Sequence, residues 1–110
     1  MNMNNEVKEY NLRQINLIEQ KIASYKINQK SLRWLIDDLH ALVKQIQEPQ
    51  TDLIQKFISS WATLEVTYAL AVDRPIFSFT DNEKVLINEA ITELRNIIST
   101  YKTRLTAIEE

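Results

Sequence analysis

Not one glycine occurs in this chain of 110 residues, and its two prolines are Pro49 and Pro75. Glycine supplies the positive φ of tight hairpin turns and lets backbone approach a phosphate closely, so sheet folds and phosphate-cradling loops rely on it. A chain without it is left with helices joined by economical turns. The length suits a single helical-bundle domain, residues 1–110, large enough to bury a core but not to divide. The absence of cysteine excludes disulfides, thiol nucleophiles and thiolate metal sites. A cytoplasmic location is the simplest expectation. No apolar run approaches the roughly 18 residues that cross a bilayer, and the opening from Met1 to Lys8 is too polar for the core of a signal peptide.

The stretch from Asp52 to Asp73 carries the strongest helical pattern. Leu53, Phe57, Trp61, Leu64, Tyr68 and Val72 recur at steps of three and four, which makes this the core helix. Glu65 falls beside that stripe, one turn after Trp61. A carboxylate there is expected to be held by a Tyr hydroxyl, a Trp indole, or an Arg such as Arg33 or Arg95. Its alternative role is at the rim of a cleft, offered to a cationic partner.

Three further helices surround it. The first begins near Asn4 or Asn5, with Val7, Tyr10, Ile15, Ile18, Ile22 and Tyr25 turned inward and Arg13, Glu19, Lys21 and Lys26 turned outward. A turn is expected over Ile27 to Lys30, with Asn28 in the left-handed conformation and Ser31 as the next cap. The apolar heptad nonetheless continues through this region, and an unbroken helix to Gln47 would span roughly 66 Å at about 1.5 Å per residue, which only a dimer could cover. The second helix is expected over Ser31 to Gln47, stopped by Pro49, and Thr51 or Asp52 is expected to cap the third. After Asp73 comes the longest connection, where Phe77 and Phe79 are placed to close one end. Thr80 and Glu83 then form a capping box, from which Ile87, Ile91, Leu94, Ile98, Tyr101, Leu105 and Ile108 run in steps of four and three. Four amphipathic helices with short connections predict an all-α, antiparallel up-down bundle.

Charge is unevenly placed. Met1 to Ile36 holds six basic and three acidic residues, Asp37 to Glu83 holds three basic and eight acidic, and the remainder holds four of each. The acidic middle is the wrong sign for a nucleic-acid binder and suits a basic protein partner. Trp34 lies off the second helix's apolar stripe, with Asp37 and Asp38 one turn on, in the manner of an interface anchor ringed by acids. His40 is the sole histidine and has no acid at ligand spacing on its face, and Glu89 with Glu93 lies off the fourth helix's stripe, so no metal site is expected. Asp73, Asp81, Glu48 and Asp52 read first as helix-end charges and second as an acidic rim. No nucleophile turn is present and one His would have to serve any triad, so neither catalytic residues nor a cofactor are expected.

Two stretches, Ser31-Leu32, Leu35-Ile36, Asp38-Leu39 and Leu42 in the second helix and Trp61, Leu64-Glu65 and Tyr68-Ala69 in the third, together resemble the small helical immunity proteins of bacterial contact-dependent growth inhibition and related polymorphic toxin systems. Where that pattern would have Gly in the turn before Ser31, this chain has Asn28. The resemblance implies a non-enzymatic protein that binds a cognate secreted toxin domain one-to-one, often a nuclease such as an RNase, and covers its basic active site. It implies that Trp61, Leu64, Glu65 and Tyr68 hold the fold, with toxin contacts on the acidic surface. Trp34, Asp37, Asp38, Glu65 and Asp73 are the expected contacts. The competing readings are a helical assembly protein that dimerises through a continuous Ile15 to Ile46 heptad and a magnesium-dependent nucleotide hydrolase, for which no four-carboxylate cluster can be assembled.

Overall fold

A computed structural model of the chain describes residues 5–25 and 28–107. Its helices are α1 (Asn5–Ala23), α2 (Gln29–Val43), α3 (Thr51–Val72) and α4 (Asp81–Ala107), and no strand occurs among the described residues. α1 and α3 each pack on α2 and α4, so the four enclose one core and form a helical bundle. Contacts between α1 and α2 with its flank, and between α3 with its flank and α4, pair low residue numbers with high ones. Asn11 meets Gln47 where Lys21 meets Asp38, and Asp52 meets Arg104 where Arg74 meets Glu83.

The core is built from the expected stripes. Ile15, Ile18 and Ile22 of α1, Leu32, Ile36 and Leu39 of α2, Phe57 and Leu64 of α3, and Ile87, Leu94, Ile98 and Tyr101 of α4 are almost wholly buried. At about 25 cal/mol per Å² of apolar surface, this burial is the main force holding the helices together. The described part of α4 ends at Ala107, and Ile108 lies outside the described residues.

Several expectations are corrected. The break between α1 and α2 is real, so the heptad does not run on as one helix. α1 stops at Ala23, and Asn28 is the N-cap of α2 rather than a left-handed turn residue. Its backbone is extended at φ −156°, and its side chain accepts the Ser31 N–H at 2.8 Å. Gln29 and Lys30 are therefore helical, and Ser31 lies inside α2; Lys26 and Ile27 lie outside the described residues, as does Asn4. α2 ends at Val43, well before Pro49, because Asn11 ties down the connection. The buried Asn11 amide donates to the Gln47 carbonyl at 2.7 Å and accepts the Gln47 N–H at 2.9 Å. Glu48 follows at φ 48°, the left-handed region that costs a non-glycine residue about 1 kcal/mol. Neither Thr51 nor Asp52 caps α3. Gln50 does so without a side-chain bond, while Asp52 pairs with Arg104 at 3.0 Å.

The buried stripe of α3 also drifts. Thr67 and Ala71 are buried, whereas Val72 is exposed and Trp61 and Tyr68 are half-buried. The contact with α4 favours small residues at 67 and 71, and the large ones turn toward α2. Glu65 is carried to the outside by the same rotation, so it is not a core carboxylate and holds no buried partner.

The connection between α3 and α4 folds back on the bundle. Phe77 lies 5.8 Å from Tyr68 and 5.0 Å from Phe79, whose ring packs against the core, so the aromatic pair closes this end as anticipated. The capping box forms, with Thr80 N–H to Glu83 Oε1 at 2.9 Å and Glu83 N–H to Thr80 Oγ1 at 3.1 Å. No described helix is long and apolar enough to cross a membrane.

Candidate functional site

Trp34 is 58% exposed on the outer side of α2, where it shares a cavity with Asp38 but has basic neighbours as well as acidic ones. Lys30 lies over its indole ring at 4.6 Å. The carboxylate of Asp37 is engaged by Arg33, whose Nε donates to Oδ2 at 3.1 Å, and this guanidinium holds Asp37 below the usual carboxylate range. Arg33 also lies over Tyr68 at 5.2 Å. Asp38 faces the other way, toward α1, and pairs with Lys21 at 3.4 Å. Trp34, Asp37 and Glu65 thus border one α2–α3 face, while Asp38 belongs to the α1–α2 side and Asp73 to the end of α3. Successive residues on α2 are turned by about 100°, and Asp37 and Asp38 accordingly take different cations, Arg33 and Lys21.

A cavity of about 130 Å³ lies between the ends of α1 and α2, lined by Lys21, Ser24, Tyr25, Trp34 and Asp38 among others. The Tyr25 hydroxyl is buried there without a hydrogen-bond partner among the described residues, and burial pushes its pKa up to about 12. On the α3 side, His40 stacks on Trp61 at 4.9 Å, and the Trp61 indole N–H donates to the Ile36 carbonyl at 2.8 Å. His40 is accounted for by that stack. Among the described residues no three His, Asp or Glu side chains gather as metal ligands would.

Apart from Glu48, exposed in the α2–α3 connection, the acids of the middle segment divide into two sets. Asp37, Asp38, Asp52 and Glu83 each have a cation, namely Arg33, Lys21, Arg104 and Arg74. Glu65, Asp73 and Asp81 are exposed and have no ion pair among the described residues; Glu65 is acted on by the Arg33 charge across the α2–α3 face, whereas Asp73 and Asp81 flank the α3–α4 connection. Asp73 is the C-cap of α3, at the negative end of the helix dipole, where a carboxylate is unfavourable. No ion pair among the described residues offsets that charge.

The same end exposes apolar side chains that the periodicity argument passed over: Val66, Leu70, Ile76, Val85 and Leu86. Val66 and Leu70 stand one turn apart off the buried stripe of α3, and Val85 and Leu86 stand off that of α4. Their signal in the sequence was apolar residues in excess of one stripe, which a search for the core alone discards. Compared with protein-family models, curated proteins and solved structures, the chain finds no match.

Proposed function

We propose that the protein is a non-enzymatic immunity protein that binds a basic toxin domain one-to-one and occludes its active site. The observation that carries this reading is the pair of exposed carboxylates Asp73 and Asp81, which have no ion pair among the described residues and flank the α3–α4 connection of a bundle whose other mid-chain acids are mostly paired. A charge placed where it does not serve the fold, as Asp73 is at the C-terminal end of α3, is explained by an external partner of opposite sign. A nuclease active site, which must hold phosphates, has that sign. The resemblance of the Ser31–Leu42 and Trp61–Ala69 stretches to immunity proteins supports the same reading.

Trp34, Glu65 and Asp73 are the contact residues of choice in this proposal, with Trp34 as an exposed aromatic anchor. Asp37 and Asp38 contribute less, because Arg33 and Lys21 already neutralise them. The test is calorimetry of the full chain against the C-terminal domain of the large secreted protein encoded immediately upstream, at two salt concentrations. Saturable one-to-one binding at nanomolar strength that weakens with salt supports the reading. A folded partner domain that gives no heat sinks it.

A further inference from the structure

The geometry points to the outer face of the α3–α4 pair as a docking groove for a basic amphipathic helix of the partner, an assignment that rests on the functional reading above. Val66 and Leu70 on α3 are 59% and 54% exposed, and Val85 and Leu86 on α4 are 55% and 46% exposed. Isolated exposed aliphatics are ordinary; here four occupy the outward faces of two helices packed directly on each other. Thr67 and Ala71 are buried, and Val66 and Leu70 each lie one residue before them, which turns them outward by about 100° from that inner face. On α4, Leu86 lies one residue before the fully buried Ile87 and Val85 two, so they are turned from it by about 100° and 200°.

Two packed helices leave a groove along their outer side, and the apolar ridge of a third helix fits such a groove. The charges around it identify the occupant. Glu89 and Glu93 line a shallow depression with Val85, Asn88 and Thr92, beginning one turn beyond Val85. Together with Asp73 and Asp81, they give four exposed carboxylates without an ion pair among the described residues, against two such cations, Lys84 and Lys56, the latter lining a neighbouring depression with Glu93. A second copy of this chain docked by the same face would set these carboxylates against their own equivalents, which is repulsive. A helix with aliphatic residues on one side and Lys or Arg on its flanks satisfies both the groove and its rim.

The test uses the full chain and the upstream-encoded toxin domain, with Leu70→Lys, Glu89→Lys and, as a control on α1 that adds the same charge as Leu70→Lys, Asn16→Lys. All three positions are exposed, and circular dichroism verifies folding. We expect Leu70→Lys and Glu89→Lys each to weaken binding by about 30-fold or more, and Asn16→Lys to change it by less than about threefold. Tight binding by the unaltered chain with no selective loss at Leu70 and Glu89 overturns the groove and leaves the functional reading standing. No binding by the unaltered chain overturns the functional reading, and the groove assignment with it. A mass in solution twice that of one chain, restored to one by Leu70→Lys, also overturns it, because a second copy then occupies the face.

Discussion

The Arg74 guanidinium and the Glu83 carboxylate meet at two points, with Nη1 to Oε1 at 2.7 Å and Nη2 on Oε2, while Glu83 also accepts the Thr80 N–H. One carboxylate therefore closes the α3–α4 connection and caps α4 at once. The Arg74 bond, followed by the Thr80 N–H, lowers Glu83 from its ordinary value of 4.5 to about 2. A carboxylate depressed on folding stabilises the native state above its unfolded pKa and loses that contribution as pH falls through the folded value. Part of the acid destabilisation between pH 4.5 and about 2 thus belongs to this group. Glu83→Gln is expected to lower the melting temperature at pH 7 and to flatten its dependence on pH across that window. Thermal unfolding followed by circular dichroism from pH 7 to 2 checks both, and an unchanged acid slope would refute the assignment.

Asn11 is the fixed point of the α2–α3 connection. Its amide satisfies both backbone groups of Gln47, and truncation to Ala leaves them without that partner and opens a void at a fully buried position. A loss of about 1–3 kcal/mol is expected in urea unfolding. Glu48→Gly, one residue beyond, removes the steric cost of φ 48° and is expected to change stability favourably by up to about 1 kcal/mol. An Asn11→Ala effect under about 0.5 kcal/mol would show that water replaces the clamp.

How much of this was legible follows from the range of each interaction. The core face of α4 and the Thr80–Glu83 box were readable because their determinants lie within a few residues of one another. The end of α2 was not, since Pro49 is the visible stop signal, whereas the bond that shapes the connection comes from Asn11, 36 residues away in sequence. Asn28 was recognised as a boundary, but an asparagine can break a helix by going left-handed or by capping, and only the backbone distinguishes them. Glu65 lies outside the core because the largest side chains of α3 do not mark the centre of its buried face. In α3 that centre lies nearer Leu64, Thr67 and Ala71, where close packing against α4 rewards small residues. Trp34 was correctly read as lying off the stripe, but long cations from neighbouring turns and from α1 reach its surroundings in ways that spacing on one helix does not reveal.

Trp61 joins α2 to α3 through its indole N–H on the Ile36 carbonyl and its stack on His40. Phe in its place keeps an aromatic ring but cannot donate, and is expected to cost about 1–2 kcal/mol, whereas Ala also forfeits packing and is expected to cost about 3 kcal/mol or more. Trp34→Ala, at an exposed position, is expected to stay within about 0.5 kcal/mol. Chemical denaturation of the three variants orders them, and a Trp34 effect as large as that of Trp61→Phe would mean that Trp34 holds the fold.

Asp73 separates fold from function most sharply. As the C-cap of α3 it faces the negative end of the helix dipole, so Asp73→Asn is expected to leave stability unchanged or raise it by up to about 0.5 kcal/mol. Asp81, in the first turn of α4, faces the favourable end, and Asp81→Asn is expected to lower stability by a similar amount. Toward a basic toxin domain the two substitutions should act alike, slowing association about two- to fivefold at low salt with little effect at high salt, because steering depends on charge and is screened. Asp52→Asn provides the contrast, since Arg104 already pairs with it near the start of α3, and it should leave the association rate within about twofold. Stopped-flow association at two salt concentrations, set beside urea unfolding, reads both quantities. If Asp73→Asn destabilised the bundle and left association unchanged, its carboxylate would belong to the fold, and the argument for a basic partner would lose its strongest residue.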